Sequence, residues 1–209
     1  MRIFKCAHCG QLVYFENTYC EHCGHAFGFL KESLALFTIV PSDNNNYHFY
    51  NQPGKLYKYC ANHSYGVCNW LVAASSPNIY CEACELNKTI PDITSAANIA
   101  LWQKMENAKH RLLYTLFRLN LPTVSKGKDL ANGLAFDFLA NTHPRERVLT
   151  GHDEGLITIN IEEADEVVRE QARRQMGEPY RTLLGHFRHE TGHYYWDRLI
   201  RDTGWLEHF

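Results

Sequence analysis

All eight cysteines of this 209-residue chain fall in its first 84 residues. Four make the pairs Cys6-x2-Cys9 and Cys20-x2-Cys23. The others are Cys60, Cys68, Cys81 and Cys84, so each group of four ends in a Cys-x2-Cys pair. A two-residue gap lets one tight turn present two sulfurs to one ion, and tetrahedral zinc takes four thiolates. The N-terminus, Met1-Arg2-Ile3-Phe4-Lys5-Cys6, has no apolar stretch of the kind that heads a secreted chain. The expected compartment is therefore the cytoplasm, where thiols stay reduced and such spacing signals metal rather than disulfides. Two structural zinc sites are expected, one from Cys6, Cys9, Cys20 and Cys23 and one from Cys60, Cys68, Cys81 and Cys84. Gly10 and Gly24 follow the second cysteine of each early pair, where a turn around a metal needs a positive φ. His8, His22 and His25 are left at the surface or behind the sulfurs, and His63 is a possible substitute for Cys60.

Hydrophobic residues make up 45% and charged residues 21%, which excludes bulk disorder. The formal charge of −2 gives no sign of a nucleic-acid partner. The densest apolar run, Leu34 to Val40, is far too short to cross a bilayer. The expected fold is α+β in three parts: a zinc ribbon over 1–28, a small β-rich second four-cysteine module over 29–92, and an α+β region over 93–209. In the middle part, Ser33–Val40, Tyr47–Tyr50 and Leu56–Tyr59 read as strands, separated by loops at 41–46 and 51–54. In the last part, Ile99, Trp102, Met105, Leu112, Leu113, Leu116 and Leu119 recur at helical spacing, so a long helix is expected to run to about Asn120. Leu134–Leu139 reads as a strand and His143–Arg147 as a loop. Val148–Thr150 and Leu156–Ile161 read as a hairpin around 151–155. Glu162–Met176 reads as a charged helix broken by Gly177-Glu178-Pro179.

The expected final helix, Tyr180 to Arg201, contains His189-Glu190-Thr191-Gly192-His193. Two histidines four residues apart share a helix face and can grip one zinc ion, and Glu190 beside the first can act as general base on a bound water. At about 100° per residue, His186, His189, Glu190, His193 and Asp197 all fall within one stripe of the helix. Asp197 can accept the free ring N–H of a ligand histidine or pair with Arg201. His186 is about 10 Å along the backbone from His193, too far for easy shared ligation, which suits a supporting or substrate-side role. Tyr194 and Tyr195 are read as packing residues.

Beyond this pattern, the chain resembles a bacterial family of zinc-binding metallopeptidases with an N-terminal zinc ribbon. The resemblance is carried by Cys6-Ala7-His8-Cys9-Gly10, by Cys68-Asn69-Trp70-Leu71-Val72, and by Cys81-x2-Cys84-x2-Asn87-x-Thr89-Ile90-Pro91-Asp92. It continues through Gly133–Phe138 and Leu149–Asn160 to its clearest block, Glu178–Asp197. It implies a zincin-like fold, His189 and His193 as ligands of a catalytic zinc, Glu190 as the base, and a peptide or protein substrate. A third, acidic ligand is expected on a helix past residue 209, so the peptidase region is expected to be incomplete and impaired, with Glu207 or His208 as weak substitutes. The strand Leu156–Ile161 is expected at the rim of the cleft. Two alternatives stay open: a non-catalytic binding or adaptor protein whose ribbons meet a protein or nucleic-acid partner, and a zinc hydrolase of a non-peptide substrate.

Overall fold

In the computed structural model, residues 2–141, 147–177, 181–201 and 203–208 are described, and the chain divides into two compact units, Met1–Cys84 and Glu85–Phe209. The expected loop at His143–Arg147 lies largely outside the described residues, as do Glu178 and Pro179 of the expected helix break.

The first unit begins with a short antiparallel hairpin of β1 (Phe4–Lys5) and β2 (Leu12–Val13). An antiparallel five-stranded sheet follows in chain order: β3 (Ala26–Leu30), β4 (Ala35–Pro41), β5 (Tyr47–Phe49), β6 (Gln52–Tyr59) and β7 (Leu71–Ala73). The early cysteine region and this sheet are continuous. The Phe27 N–H donates to the Thr18 carbonyl at 2.8 Å, and Thr38 Oγ1 on β4 accepts from the Ala7 N–H at 2.8 Å. Buried Phe15, Phe29 and Trp70 pack edge-on and tilted, with ring centroids 4.7 Å apart for Phe15–Phe29 and for Phe29–Trp70. Across β4, β5 and β6, the rings of Phe37, Phe49 and Tyr57 stack in a ladder at 4.0 and 4.6 Å. Such cross-strand aromatic pairs fix sheet register. The strand expected from Ser33 starts at Ala35, because Lys31–Ser33 is a 3₁₀ turn closed by Leu34 in the left-handed region. The turn after β5 is tighter than expected, since Phe49 already pairs with Gln52. One helical turn, α1 (Glu82–Glu85), carries Cys84.

The second unit takes up β8 (Asn87–Thr89), which pairs parallel with β9 (Ala135–Leu139). The crossover between them is α2 (Ala96–Arg118), capped by the Ser95 hydroxyl, which accepts from the Asn98 N–H. β9 pairs parallel with β11 (Leu156–Asn160), and β10 (Gly151–Asp153) closes the edge antiparallel to β11. The sheet order is β10-β11-β9-β8. The hairpin is shorter than expected, because Glu154 and Gly155, with φ of 44° and 88°, make the two-residue turn and leave residues 151–153 to the strand. Asp165 caps α3 (Glu166–Met176), accepting from the Val167 and Val168 N–H groups, and Ile161–Ala164 before it is a 3₁₀ turn.

On α2, Trp102, Met105, Leu112, Leu113 and Leu116 are buried as expected, whereas Leu119 is exposed. The gap in that apolar face is filled by a buried polar group. Glu106 accepts from the Asn87 side chain at 2.7 Å, Trp102 Nε1 at 2.9 Å and Lys109 Nζ at 3.0 Å. Lys109 also lies 5.7 and 5.4 Å from the ring centroids of Phe136 and Phe138. A buried ion is tolerated only when paired and hydrogen-bonded in this way. The last helix, α4 (Leu183–Trp196), is shorter than expected and widens over Asp197–Arg201 into a π-type turn. Phe187 on α4 is fully buried, with its ring 5.7 and 6.0 Å from those of Phe136 and Phe138. Truncating it removes the main apolar anchor of α4. Phe187→Ala is expected to cost about 3–5 kcal/mol of stability, measured by denaturant unfolding.

Candidate metal centre

In the first unit the ligand sulfurs of Cys6, Cys9, Cys20 and Cys23 lie within 4.8 Å of one another, and so do those of Cys60, Cys68, Cys81 and Cys84. None of the eight cysteines is disulfide-bonded. Measured pairs are 3.6 Å for Cys6–Cys23 and Cys9–Cys20 and 3.7 Å for Cys68–Cys81. Two sulfurs held at about 2.3 Å by a tetrahedral zinc ion sit about 3.8 Å apart, so both tetrads fit that ion. The early knuckles form as the glycines require. Gly10 and Gly24 have φ of 79° and 76°, and their N–H groups donate back to the Cys6 and Cys20 carbonyls at 2.9 and 2.8 Å. Burial pushes the Cys68 and Cys81 thiols well above the usual range. Four thiolates there need a cation among them. His25 stands behind the first tetrad, Nδ1 3.5 Å from Cys23 Sγ, and its ring stacks on His8 at 4.2 Å. His63 Nδ1 bonds the Cys68 carbonyl at 2.9 Å and lies outside the second tetrad.

In the second unit α4 brings His189 and His193 together. Their Nε2 atoms are 3.2 Å apart and their rings perpendicular, with centroids at 4.7 Å. Two imidazole nitrogens bound at about 2.05 Å to one tetrahedral ion lie about 3.3 Å apart, so this pair fits a shared ion too. Both rings are exposed, and Glu190 between them is half-buried. Among the described residues, no third His, Cys, Asp or Glu ligand atom closes around the pair. Glu207 and His208 sit on the turn Gly204–His208 and do not join it.

Beside the pair, Thr150, Arg181, Thr182, Gly185, His186, His189 and Glu190 line a cavity of about 380 Å³. His186 Nδ1 hydrogen-bonds Glu163 Oε2. Glu163 also accepts from the Thr150 hydroxyl at 2.5 Å and lies 3.7 Å from Arg181 Nη2. Burial works against the charge on Glu163, but the bonds from His186 and Thr150 and the Arg181 cation outweigh it and hold the carboxyl below the usual range.

Asp197 does not bond either histidine of the pair among the described residues. It takes the alternative partner, Arg201 Nη2, at 2.6 Å one turn on. Tyr194 and Tyr195 donate to the Asn132 and Pro122 carbonyls at 2.7 and 2.8 Å, so both hydroxyls are committed to holding α4. The strand near the histidines is β10, not Leu156–Asn160. β11 is paired on both sides and has no edge for another chain. His152 on β10 stacks toward His193 with centroids 6.5 Å apart, and its Nε2 accepts from the Gly155 N–H at 2.8 Å. Burial pushes the His152 ring below its usual value. Sequence reasoning missed Thr150, His152, Glu163 and Arg181 as neighbours of the pair.

Residues 98–209 match the model of a family described as "putative zinc-binding metallo-peptidase", and residues 3–95 match a zinc-ribbon domain. Uncharacterized proteins of Mycobacterium bovis and Mycobacterium tuberculosis are each 44% identical to the chain over 203 residues, which is 97% of this chain and 55% of theirs. The chain thus spans about half the length of the curated relatives it matches. No solved structure matches it.

The Glu163 cluster has a pH signature. A carboxyl whose folded value lies below its unfolded value of about 4.3 binds fewer protons when folded. Its contribution is therefore full above that value and is lost as pH falls through the folded one. Glu163→Gln is expected to lose about 1–3 kcal/mol at pH 7, with the gap to wild type closing in acid, as read from melts across pH.

Proposed function

The chain belongs to the zinc-binding metallo-peptidase family, and from that premise we propose that its second unit carries a peptide-hydrolysing site, with His189 and His193 as zinc ligands and Glu190 as general base, whose turnover is weak while these two histidines hold the ion alone. The observation that carries this reading is the 3.2 Å approach of the two Nε2 atoms, with Glu190 lining the adjacent cavity. A zinc ion held there would polarise the scissile carbonyl and lower the pKa of its water. Glu190 takes a proton from the attacking water as the new C–O bond forms, and returns it to the amide nitrogen as the C–N bond breaks. Phe187, Thr191 and Tyr194 are buried on the adjoining face of α4 and keep the histidines and Glu190 in one orientation. The two thiol tetrads are structural zinc sites in this reading. Free thiols in such numbers suit the cytoplasm. No helix among the described residues is long and apolar enough to cross a membrane. The zinc ribbon is proposed to meet a protein partner.

Metal analysis should find two zinc ions that resist chelation and a third that is removed first, because four thiolates hold an ion more strongly than two imidazoles. His189→Ala should abolish only the third. Glu190→Gln should keep all three and end turnover of a peptide library. A Glu190→Gln protein that still cleaves peptides would sink the proposal.

A further inference from the structure

The pair formed by Glu163 and His186 has no part in the hydrolysis described above, yet it lines the same cavity as Glu190. A carboxylate only accepts hydrogen bonds, so the His186 nitrogen facing Glu163 carries the proton. In the neutral ring Nε2 is then an acceptor, and no described residue hydrogen-bonds it. Glu163 is held firmly on its side. Its carboxylate is gripped by the Thr150 hydroxyl at 2.5 Å, its carbonyl accepts from Arg169 Nη1 at 2.8 Å, and its neighbours Ile161 and Ala164 are buried. Thr150 is fixed in turn by the Asn160 N–H, 3.2 Å from its hydroxyl oxygen. The ring of His186, which lines the cavity, is therefore pinned through its Nδ1.

His186 stands three residues before His189 and seven before His193, about 4.5 and 10.5 Å along the axis. An extended peptide advances about 3.3–3.6 Å per residue. A substrate whose carbonyl is at the metal pair thus passes His186 within one or two residues. The hydrogen-bond donor that every residue but proline offers is its backbone N–H. We propose that His186, oriented by Glu163, is a specificity-determining contact that accepts a hydrogen bond from a substrate backbone N–H one or two residues from the scissile bond. The cleft would then select ordinary peptides over esters, and over proline or N-alkylated residues at that position. This rests on the peptidase reading for its substrate, with Glu163 as a positioning residue.

The test uses the zinc-loaded 209-residue protein labelled with ¹⁵N in its histidines. It is titrated with a library of capped tetrapeptides and with the same library N-methylated at its amides. The His186 ring should show a protonated Nδ1 and a bare Nε2. The ordinary library should move the Nε2 signal and bind about tenfold more tightly than the methylated one, the worth of one hydrogen bond. In His186→Phe that preference should vanish with zinc content unchanged. Glu163→Gln should weaken it by mixing the tautomers, and Glu163→Asp should restore part of it. A purely structural role for the pair would leave the preference intact in His186→Phe. A protonated Nε2 in the free protein, an Nε2 signal unmoved by peptide, or an unchanged preference in His186→Phe overturns the inference. Turnover is scored separately. Cleavage that persists in Glu190→Gln, with peptide still shifting Nε2, defeats the peptidase reading and leaves the subsite. Cleavage with no shift defeats the subsite alone.

Discussion

Lone-pair donors that converge on one point repel each other unless a proton or a cation sits between them. The first unit gathers eight sulfurs into two such points, and the second brings two imidazole nitrogens to 3.2 Å. Without an ion, buried thiols answer by holding their protons, which is the direction in which Cys68 and Cys81 are pushed. With an ion the repulsion becomes ligation, and the turns that carry the donors are fixed. For the first unit this is decisive. Its strands, two to eight residues long around a modest aromatic core, are tied to the turns that carry the sulfurs, so ligation fixes the fold as well as the turns.

The second unit is stabilised differently. Its sheet and two helices enclose a core of Phe136, Phe138, Phe187 and the apolar face of α2, and within it Glu106 and Lys109 form a paired, fully buried ion pair. That core fixes one side of α4 and leaves the other to the cavity. Because His186, His189, Glu190 and His193 share one helix, their spacing is set by the helix itself and their facing by Phe187, Thr191 and Tyr194. The part left to long-range contacts is the wall opposite α4, supplied by Thr150 and the Glu163 turn.

This division explains what could be read from the residues. Cysteine spacing, glycine after each early knuckle, and histidines four apart are local signals, and the elements that carry them are where the sequence puts them. The long helix α2 was legible from its leucines, but its middle was not. Glu106, Lys109 and His110 look like a solvated face, and only the Asn87 side chain from β8, with Trp102 one turn back on the same helix, makes their burial affordable in free energy. Glu163 was hidden in the same way. It reads as one acid in a charged stretch, and its partner His186 is 23 residues further on. The expected rim strand was misplaced because alternation in Leu156–Asn160 marks a good strand and says nothing of whether it lies at an edge. Here that strand lies inside the sheet, paired with β10 and β9, and its Ile157 and Ile159 are buried.

The convergence of donors on zinc is tested most directly by X-ray absorption at the zinc edge of the fully loaded protein, beside a His189→Ala/His193→Ala double variant. The account predicts a shell dominated by sulfur at about 2.3 Å with a smaller nitrogen component at about 2.0–2.1 Å. The imidazole scattering should drop out of the double variant while the sulfur shell stays. A shell without sulfur, or a nitrogen component unchanged by removal of both histidines, would contradict it.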